Sequence, residues 1–462
     1  MGKVQLHRTN ARFIAEAEYL NEANAQLAQL NSSYEFDIPN KLINENIDVV
    51  KMDKNVDPKK YYMLLDKYKF IENLGSNESV LSTQSGSILG NPFLIRKYKH
   101  FYWGSKTYTG SITIYWTTTE RDSNGNYYTQ QHSEVLTASV TKPFPEYTTR
   151  TELVYGNEAA PDLSFSRTSN PNYQLEGNHL SSFLKKFDKK LDKMVRKDIN
   201  PSDGSQFTKL ANTEFEALFQ ALDRDNEVQF RLLFTPLAQK NEIDLLRKSP
   251  FNDDFSFVKK KMINIVSSSH SQSFDFSANP ARYVSFDLEV SRDNFINYVT
   301  SYFKNFFFDL APMISIPLYQ QYKTREYIYN HEYKSNFTFY EHETLANKFS
   351  IVPPKCVTDV ILKTSASKID DTSDIVRINS VGYEAIPQVS YIPVHGGDGY
   401  MHDVPVEWDR YDEVSCSETM CVGGLDLNRK EYNSLSSSHN NIKYNKGLLA
   451  VLGKSMDGLM KK

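Results

Sequence analysis

Two histidines and two cysteines lie close together near the end of the chain. Imidazole and thiolate groups are common ligands of tetrahedral zinc, and four of them complete such a site. The spacings are H-x6-H and C-x4-C, looser than those of common zinc modules, and four unrelated side chains would give the same pattern. We therefore expect no cofactor and keep zinc as the alternative at these four residues: His395, His402, Cys416 and Cys421.

Four carboxylates lie within the same stretch, at Glu407, Asp409, Asp412 and Glu413. Two carboxylates about 5 to 10 Å apart can divide the acid and base roles of a hydrolytic enzyme. An acidic, solvated loop is the simpler explanation. An enzyme whose site is assembled from histidines and carboxylates of residues 395–421 is therefore an alternative hypothesis.

Complete catalytic motifs are absent from the sequence. It contains no G-x-S-x-G, no phosphate-binding G-x4-G-K-[ST] and no H-E-x-x-H, although His331-Glu332 and His342-Glu343 each begin the last motif. The glycines of residues 396–399 lack the lysine and helix of a phosphate-binding loop and indicate a β-turn. These absences favour a protein without catalytic activity.

Basic side chains are concentrated on the polar side of a helix predicted at residues 179–197, where Asp188 and Asp192 are the acids among them. Such a face can contact phosphates or anionic lipid head groups, or it can simply be solvated. The basic residues are Lys185, Lys186, Lys189, Lys190, Lys193, Arg196 and Lys197.

Bases and aromatic residues also alternate at residues 97–103, Lys-Tyr-Lys-His-Phe-Tyr-Trp. Proteins that bind single-stranded nucleic acid use this composition for stacking. The chain has a net charge of −4, however, which opposes general attraction to nucleic acid. Nucleic-acid binding therefore stays a second alternative.

The composition is that of a globular protein. The chain has 462 residues, of which 40% are hydrophobic and 24% charged, and this length suits two or more domains. Three cysteines are too few for disulfide bonds to stabilise a chain of this length, which fits a reducing compartment. The first ten residues lack a signal peptide, and no segment is apolar for long enough to span a membrane. We expect a cytoplasmic protein, with attachment to the inner face of the membrane as an alternative.

Amphipathic helices are predicted at both ends. Residues 9–31 carry apolar side chains at spacings of three and four, opposed by acids and amides. At the other end, Leu448, Leu449 and Leu452 belong to an apolar stripe, which is opposed by lysines including Lys454, Lys461 and Lys462. Each helix can pack on the body, on a partner protein or on its own copy, and the C-terminal helix can also contact an anionic membrane.

The strongest local pattern is a β-hairpin at residues 107–140. Apolar side chains alternate with small or hydroxyl residues there, which is the period of a half-buried strand, and Asn124-Gly125 supplies the tight turn. The apolar face requires a partner layer, for which the nearest candidates are the helix at 179–197 and a third strand predicted at 149–155. The residues of this face are Tyr108, Ile112, Ile114 and Trp116.

Prolines and glycines divide the rest of the β-type sequence. Pro143 and Pro145 are expected to end the hairpin, because proline cannot donate a hydrogen bond to a ladder. Between residues 356 and 414 the same logic predicts short strands separated by prolines. In the middle of the chain, Val228–Phe234 is predicted as a buried strand among helices at 212–223, 235–248 and 292–308, and residues 255–266 and 273–290 as extended.

These patterns together predict an α+β protein, with an antiparallel meander, a helical middle and a second β-rich region. The expected divisions are 1–31 (N-terminal helix), 32–172 (β domain), 173–350 (helix-rich region), 351–432 (second β-rich region) and 433–462 (linker and C-terminal helix).

Four short stretches of the chain carry a resemblance to known sequences: Tyr108–Ser111, Ala159–Phe165, Leu233–Ala238 and Phe308–Pro312. They resemble an uncharacterised protein family of low-GC Gram-positive bacteria and mollicutes. The resemblance implies no known activity, so it assigns no catalytic residue. It does imply an N-terminal region that anchors relatives in a membrane, from which this chain departs because residues 9–31 predict an amphipathic helix.

We therefore expect a non-catalytic scaffold or binding protein. It would engage a protein partner, or itself, through the terminal helices, and would be part of a larger assembly or peripheral to the membrane. The alternatives are the enzyme at residues 395–421 and single-stranded nucleic-acid binding.

Overall fold

The computed structural model describes residues 19, 37–72, 74–121, 126–197, 207–274, 282–283, 285, 287–317, 335–369, 372–424, 441–445 and 447–453. The Asn124-Gly125 turn lies outside these residues, and of the predicted N-terminal helix at 9–31 only Tyr19 is described, as a helical residue that is 73% exposed. The helices are α1 (Ile38–Asn46), α2 (Pro58–Asp66), α3 (Gly177–Lys197), α4 (Thr213–Phe219), α5 (Glu227–Leu233), α6 (Pro236–Lys248), α7 (Ser269–Ser273), α8 (Leu288–Ile314) and α9 (Phe339–Asn347).

The strands form two antiparallel sheets, so the predicted α+β class is confirmed. The first sheet has the order β1-β2-β3-β4-β7-β6-β5 and the second has the order β11-β12-β10-β9-β8. The strands are β1 (Val50–Met52), β2 (Glu78–Ile88), β3 (Asn91–Arg121), β4 (Tyr127–Gly156), β5 (Ser164–Arg167), β6 (Phe255–Lys260), β7 (Ile263–Ser268), β8 (Ile361–Lys368), β9 (Ser373–His395), β10 (Met401–Gly424), β11 (Ile442–Asn445) and β12 (Leu448–Leu452).

Both faces of the first sheet are covered in the part where β3 pairs with β2 as well as with β4. Phe93 and Ile95 point to a large core with helices α4, α5, α6 and α8, whereas Leu94 points to a smaller core with helix α2. Strand β4 pairs with β7, and β5 pairs with β6, so strands from both sides of the expected boundary at residue 172 share one sheet.

Helix α9 joins the two sheets through three consecutive buried ionisable side chains. Glu341 and Glu343 accept hydrogen bonds of 2.8 Å from the backbone N–H groups of Val56 and Val80, at the first sheet. His342 Nε2 lies 3.1 Å from Asp374 Oδ2 at the start of β9 in the second sheet. Because ionisable groups buried without partners are costly, these contacts hold the two sheets in one relative position.

Two long ribbons extend from the sheets. Strand β3 pairs with β2 only as far as His100, so residues 101–121 and 127–147 continue as a two-stranded ribbon, the first ribbon, over about 70 Å. Strand β9 pairs with β8 only as far as Val381, and residues 382–395 and 401–414 form the second ribbon, over about 45 Å. The two ribbons together are called the arm below.

The partner layer of the predicted hairpin is the second ribbon. Ile114 and Leu136 of the first ribbon are buried against Val404 and Val406 of the second, with Trp116 at the rim of the same cluster. The alternation in the sequence is therefore confirmed. The prediction that helix 179–197 or a third strand covers it is wrong, because helix α3 packs instead on a separate cluster with α4.

The prolines do not interrupt the ribbons as predicted. Pro143 and Pro145 pair with Ser105 and Trp103 within β4, and the predicted third strand at 149–155 is the continuation of that same strand. In an antiparallel pair, alternate residues direct their N–H groups away from the partner strand. Proline at such a position loses no ladder bond, because the outer edge of the ribbon is unpaired among the described residues.

The second ribbon contains prolines in the same way. Pro387 and Pro393 lie six residues apart in β9, and Pro405 of β10 lies opposite Tyr391, so all three share one parity of the ladder. The short strands predicted for this region are therefore two strands of 23 and 24 residues joined by the 396–399 turn.

Three further predictions of secondary structure are wrong. Glu227–Leu233 is a helix rather than a strand, because Asn226 caps it by accepting a hydrogen bond from the Gln229 N–H and Phe230 joins the core on its inner side. Leu448–Leu452 is strand β12 rather than part of a C-terminal helix, since it pairs with both β10 and β11. The extended segment predicted at residues 273–290 ends in the first turn of α8.

Gly110 lies where the backbones of the two ribbons approach closely. A Cβ atom there would overlap the carbonyl oxygen of Pro405. We predict that Gly110→Val forces the ribbons apart and lowers the free energy of unfolding by about 1 to 3 kcal/mol, the usual cost of overpacking. Urea unfolding followed by tryptophan fluorescence measures this, because all three tryptophans lie in the ribbons.

The matched control for this prediction is Ser415→Val. Its side chain is exposed on β10, and a β-branched residue suits a strand there. An unfolding midpoint for Gly110→Val equal to that of Ser415→Val would contradict the packing of the two ribbons.

Candidate interaction surfaces

Over residues 105–119 and 129–141, the outer face of the first ribbon is exposed and carries no charged side chain; Arg121, the next residue of this face, is charged and lies over the Tyr127 ring. Fifteen side chains cover it, all of them solvent-exposed, and thirteen of these carry hydroxyl groups. The register places them in facing pairs such as Thr109 with Ser139 and Thr113 with Val135. We call this surface the hydroxyl face; it consists of Ser105, Thr107, Thr109, Ser111, Thr113, Tyr115, Thr117, Thr119, Thr129, Gln131, Ser133, Val135, Thr137, Ser139 and Thr141.

Two members of this face are large and strongly exposed. The exposed fraction is 77% for Tyr115 and 60% for Val135. Tyrosine with small hydroxyl residues is also the composition of many protein-binding surfaces, since tyrosine supplies contact area and the hydroxyls supply adaptable hydrogen bonds. The face therefore has the chemistry of a protein contact rather than of an ion site.

The opposite side of the arm, on the second ribbon, has a different character. Glu407 and Asp403 are exposed there beside the apolar side chains of Val389 and Tyr391. Pairing in the ladder places Glu407 directly opposite Val389. This side of the arm is thus acidic and apolar, whereas the hydroxyl face is neutral.

The end of the second ribbon is fastened to the first ribbon. The backbone N–H of Gly397 donates to Glu134 Oε2 at 2.7 Å, and Gly397 also lies beside the Trp116 ring. Farther back, the ammonium group of Lys142 lies 4.3 Å from the centre of the Trp408 ring, a cation–π contact. The arm is therefore a two-layer unit rather than two independent hairpins.

The four residues proposed for zinc are not brought together. His395 and His402 lie at the turn of the second ribbon, where His402 Nε2 is 2.8 Å from Asp398 Oδ2. Cys416 lies fourteen residues farther along the same strand, which corresponds to about 45 Å, and Cys421 is farther still. No cluster of three or more potential metal ligands occurs among the described residues.

The carboxylates of residues 407–413 are also dispersed along β10. Arg410 pairs with Asp412, its Nη2 atom lying 2.8 Å from Oδ2. Glu407 and Glu413 are exposed on the ribbon rather than in a cleft. The arrangement therefore does not form a pocket in which an acid and a base face a common substrate.

Helix α3 presents the predicted basic face to solvent. Its apolar side, including Phe187 and Leu191, is buried against α4. Both acids of the helix, Asp188 and Asp192, form ion pairs with Lys209. The exposed bases of the helix form no ion pair with any described residue. They are Lys185, Lys186, Lys189, Lys190, Lys193 and Arg196.

The other predicted basic residues are placed differently. Lys97 donates to the carbonyl of Phe274, and Lys99 pairs with Asp359 at 2.6 Å, so these two lysines of the 97–103 stretch are already engaged within the protein. Lys454, Lys461 and Lys462 lie outside the described residues, as does the side chain of Lys197.

A buried constellation that the sequence did not indicate surrounds His270. Its Nδ1 lies 2.7 Å from Asp254 Oδ2, and its Nε2 lies 3.4 Å from Asp309 Oδ1, while Ser271 donates to Asp309. Burial raises the pKa of Asp309 to about 6. Ser271 is bonded to a carboxylate rather than to the histidine and is fully buried, so the group fastens α7 to α8 and does not form a nucleophile–base pair.

A second buried carboxylate, Glu242 of α6, has a strongly perturbed pKa. Burial raises it to about 8, although Ser315 Oγ donates to Glu242 Oε1 at 2.5 Å and so stabilises the ionised form. The sequence offered no signal for this site, because Ser315 lies far along the chain at the end of α8.

Comparisons of the chain with models of protein families, with curated proteins and with solved structures found no match. Among the described helices, none is both long and apolar enough to cross a bilayer. Inferences about function therefore depend on the surfaces and clusters of this chain.

The pKa of Glu242 predicts a dependence of stability on pH. The folded form keeps the proton up to about pH 8 and the unfolded form releases it near pH 4.5, so the contribution to stability falls as the pH rises between these values. Glu242→Gln removes this loss. We therefore expect the difference in free energy of unfolding between the variant and the wild type to be larger at pH 8.5 than at pH 4.5, by on the order of 4 kcal/mol in favour of the variant.

Urea denaturation of both proteins at pH 4.5 and 8.5 measures this difference. The exposed Glu418→Gln serves as the control, and it should leave the pH dependence unchanged. If the free energies of unfolding of Glu242→Gln and the wild type change with pH in the same way, the prediction that the Glu242 carboxyl stays protonated near neutral pH is contradicted.

Proposed function

We propose that this chain is a non-catalytic assembly protein, and that its arm joins it to a second copy through the hydroxyl face. The observation that carries the proposal is the fifteen exposed side chains of that face without a single charge. The buried core of a protein–protein interface is depleted in charged residues relative to the rest of the surface. The hydroxyl face shares this depletion.

The absence of charge also favours a second copy as the partner. A face that packs on its own copy by a twofold axis meets the same set of residues, so a face with a net charge of one sign would meet a like charge. The hydroxyl face avoids that repulsion, whereas the opposite side, with Asp403 and Glu407, would repel its own copy. The two sides of the arm therefore differ in their capacity for self-association.

The dimensions of the face suit a modest interface. Two strands about 5 Å apart and some 50 Å long present about 500 Å² per copy, or on the order of 1,000 Å² in total. Such an area is at the lower end of the range for specific protein–protein interfaces. Two sheets that pack face to face in this way lie about 10 Å apart. We therefore expect reversible association rather than a permanent dimer.

Charge placed on the hydroxyl face should abolish the association. In the Thr113→Lys/Thr137→Lys variant, each copy brings two lysines into the contact, and the like charges meet across the twofold axis. We expect the dissociation constant to rise at least about 100-fold. Sedimentation velocity over a range of concentrations measures it.

The control, Val389→Lys, adds a lysine to the opposite side of the arm, where Val389 is 48% exposed. It should associate as the wild type does. A wild-type chain that remains monomeric at every concentration, or a double variant that associates like the control, would contradict the proposal.

Helix α3 supports a second proposed function, which is peripheral attachment to an anionic membrane. Six exposed bases lie on one face of the helix, and its two acids share Lys209, so the surface has a strong net positive charge. Near an anionic bilayer each such base contributes about 1 kcal/mol of attraction, which is screened by salt.

We predict that Lys186→Glu/Lys190→Glu weakens binding to phosphatidylglycerol vesicles at least about tenfold, because each change removes one positive charge and adds a negative one. Co-sedimentation with vesicles at low salt measures this, and neutral phosphatidylcholine vesicles give the background. The control is Lys59→Glu on α2, an exposed lysine outside α3.

A wild-type chain that ignores phosphatidylglycerol vesicles would contradict membrane attachment. Binding to single-stranded DNA in a gel shift, with no binding to vesicles, would assign the basic face to nucleic acid instead.

A further inference from the structure

An apolar groove separates helices α1 and α8 on the surface of the body. Its volume is about 570 Å³, within the range of sites that bind ligands or peptide segments. Most of its lining is apolar or aromatic, and among the described residues Lys304 is the one charged residue that lines it. The lining residues are Leu42, Asn46, Val299, Thr300, Phe303, Lys304, Phe307 and Phe308.

Helix α8 carries a stripe of incompletely buried apolar side chains into this groove. Ile296, Val299, Phe303 and Phe307 follow one another at spacings of three and four residues, and Ile296 is 51% exposed. This spacing is that of a helix face that packs against another helix. The groove and the stripe together form a surface shaped to receive a helix.

We propose that residues 9–31 of the same chain dock as a helix in this groove. Their sequence predicts an amphipathic helix, with Phe13, Leu20 and Leu27 on its apolar face. The proposal concerns the body of the protein and stands independently of the arm.

The position of α1 favours this segment over other occupants. Helix α1 begins at Ile38 and forms one wall of the groove through Leu42. Residues 32–37 connect the two elements and can span at most about 20 Å, which keeps the segment beside the groove.

Charge supports the same occupant. Residues 9–31 contain three glutamates against a single Arg12. Glu18 and Glu22 lie on the polar side of the predicted helix, whereas Glu16 lies on the apolar face between Phe13 and Leu20. Lys304 is exposed at the groove, with its ammonium group 4.7 Å from the centre of the Phe251 ring. A glutamate of the docked helix can therefore pair with Lys304 at the rim.

Hydrogen exchange of the full chain, followed by mass spectrometry, tests the docking. In the wild type we expect the amides of residues 9–31 to exchange at least about tenfold more slowly than in an unstructured peptide. Phe303→Asp places a charge in the groove and should return that exchange to the unprotected rate. Val228→Asp, at a 70% exposed position of α5, is the control and should leave the protection unchanged.

Because Phe303 also contacts the body, a second variant changes the segment instead. Leu20→Asp/Leu27→Asp should lose the protection of residues 9–31 and also speed the exchange of peptides from α8 around Phe303. Three results would overturn the proposal: no protection of residues 9–31 in the wild type, protection that survives both variants, or protection that disappears on dilution together with a dimer mass. A fatty acid or lipid retained in the groove by native mass spectrometry would also overturn it.

Discussion

Helix α9 carries the interaction on which the arrangement of the two sheets depends. Glu341 and Glu343 are buried and accept hydrogen bonds from backbone N–H groups at the first sheet, and His342 contacts Asp374 in the second. Removing any one partner would leave an ionisable group buried alone, which costs far more than an exposed ion pair contributes. The sheets are therefore held by contacts that allow little adjustment.

The arm follows from that constraint. A two-stranded ribbon is marginally stable in water by itself, so neither ribbon is expected to extend from the body alone. With the sheets held by α9, both ribbons leave the body side by side, and the apolar residues of each bury those of the other. The hydroxyl face and the acidic side then remain exposed to solvent on the two outer sides of the arm.

Part of this was predictable from the sequence. The alternation around Ile112 and Ile114 predicts the first ribbon, and helical spacing predicts α3, because both patterns depend on neighbouring residues. The partner of the first ribbon was not predictable, since Val404 and Val406 lie far along the chain among prolines. Leu448–Leu452 was predicted wrongly because a short apolar run fits a helix or a strand equally well, and only pairing with β10 decides.

The central claim is that the hydroxyl face joins two copies of the chain. Its most direct test is pulsed electron double resonance on the protein carrying a single spin label at Tyr115→Cys, with Cys356, Cys416 and Cys421 replaced by serine. A twofold contact through this face predicts a defined distance between the labels of two copies, which disappears when labelled chains are diluted with unlabelled ones. If the labelled protein sediments as a dimer but the resonance measurement shows no defined distance between the labels of two copies, the claim is contradicted.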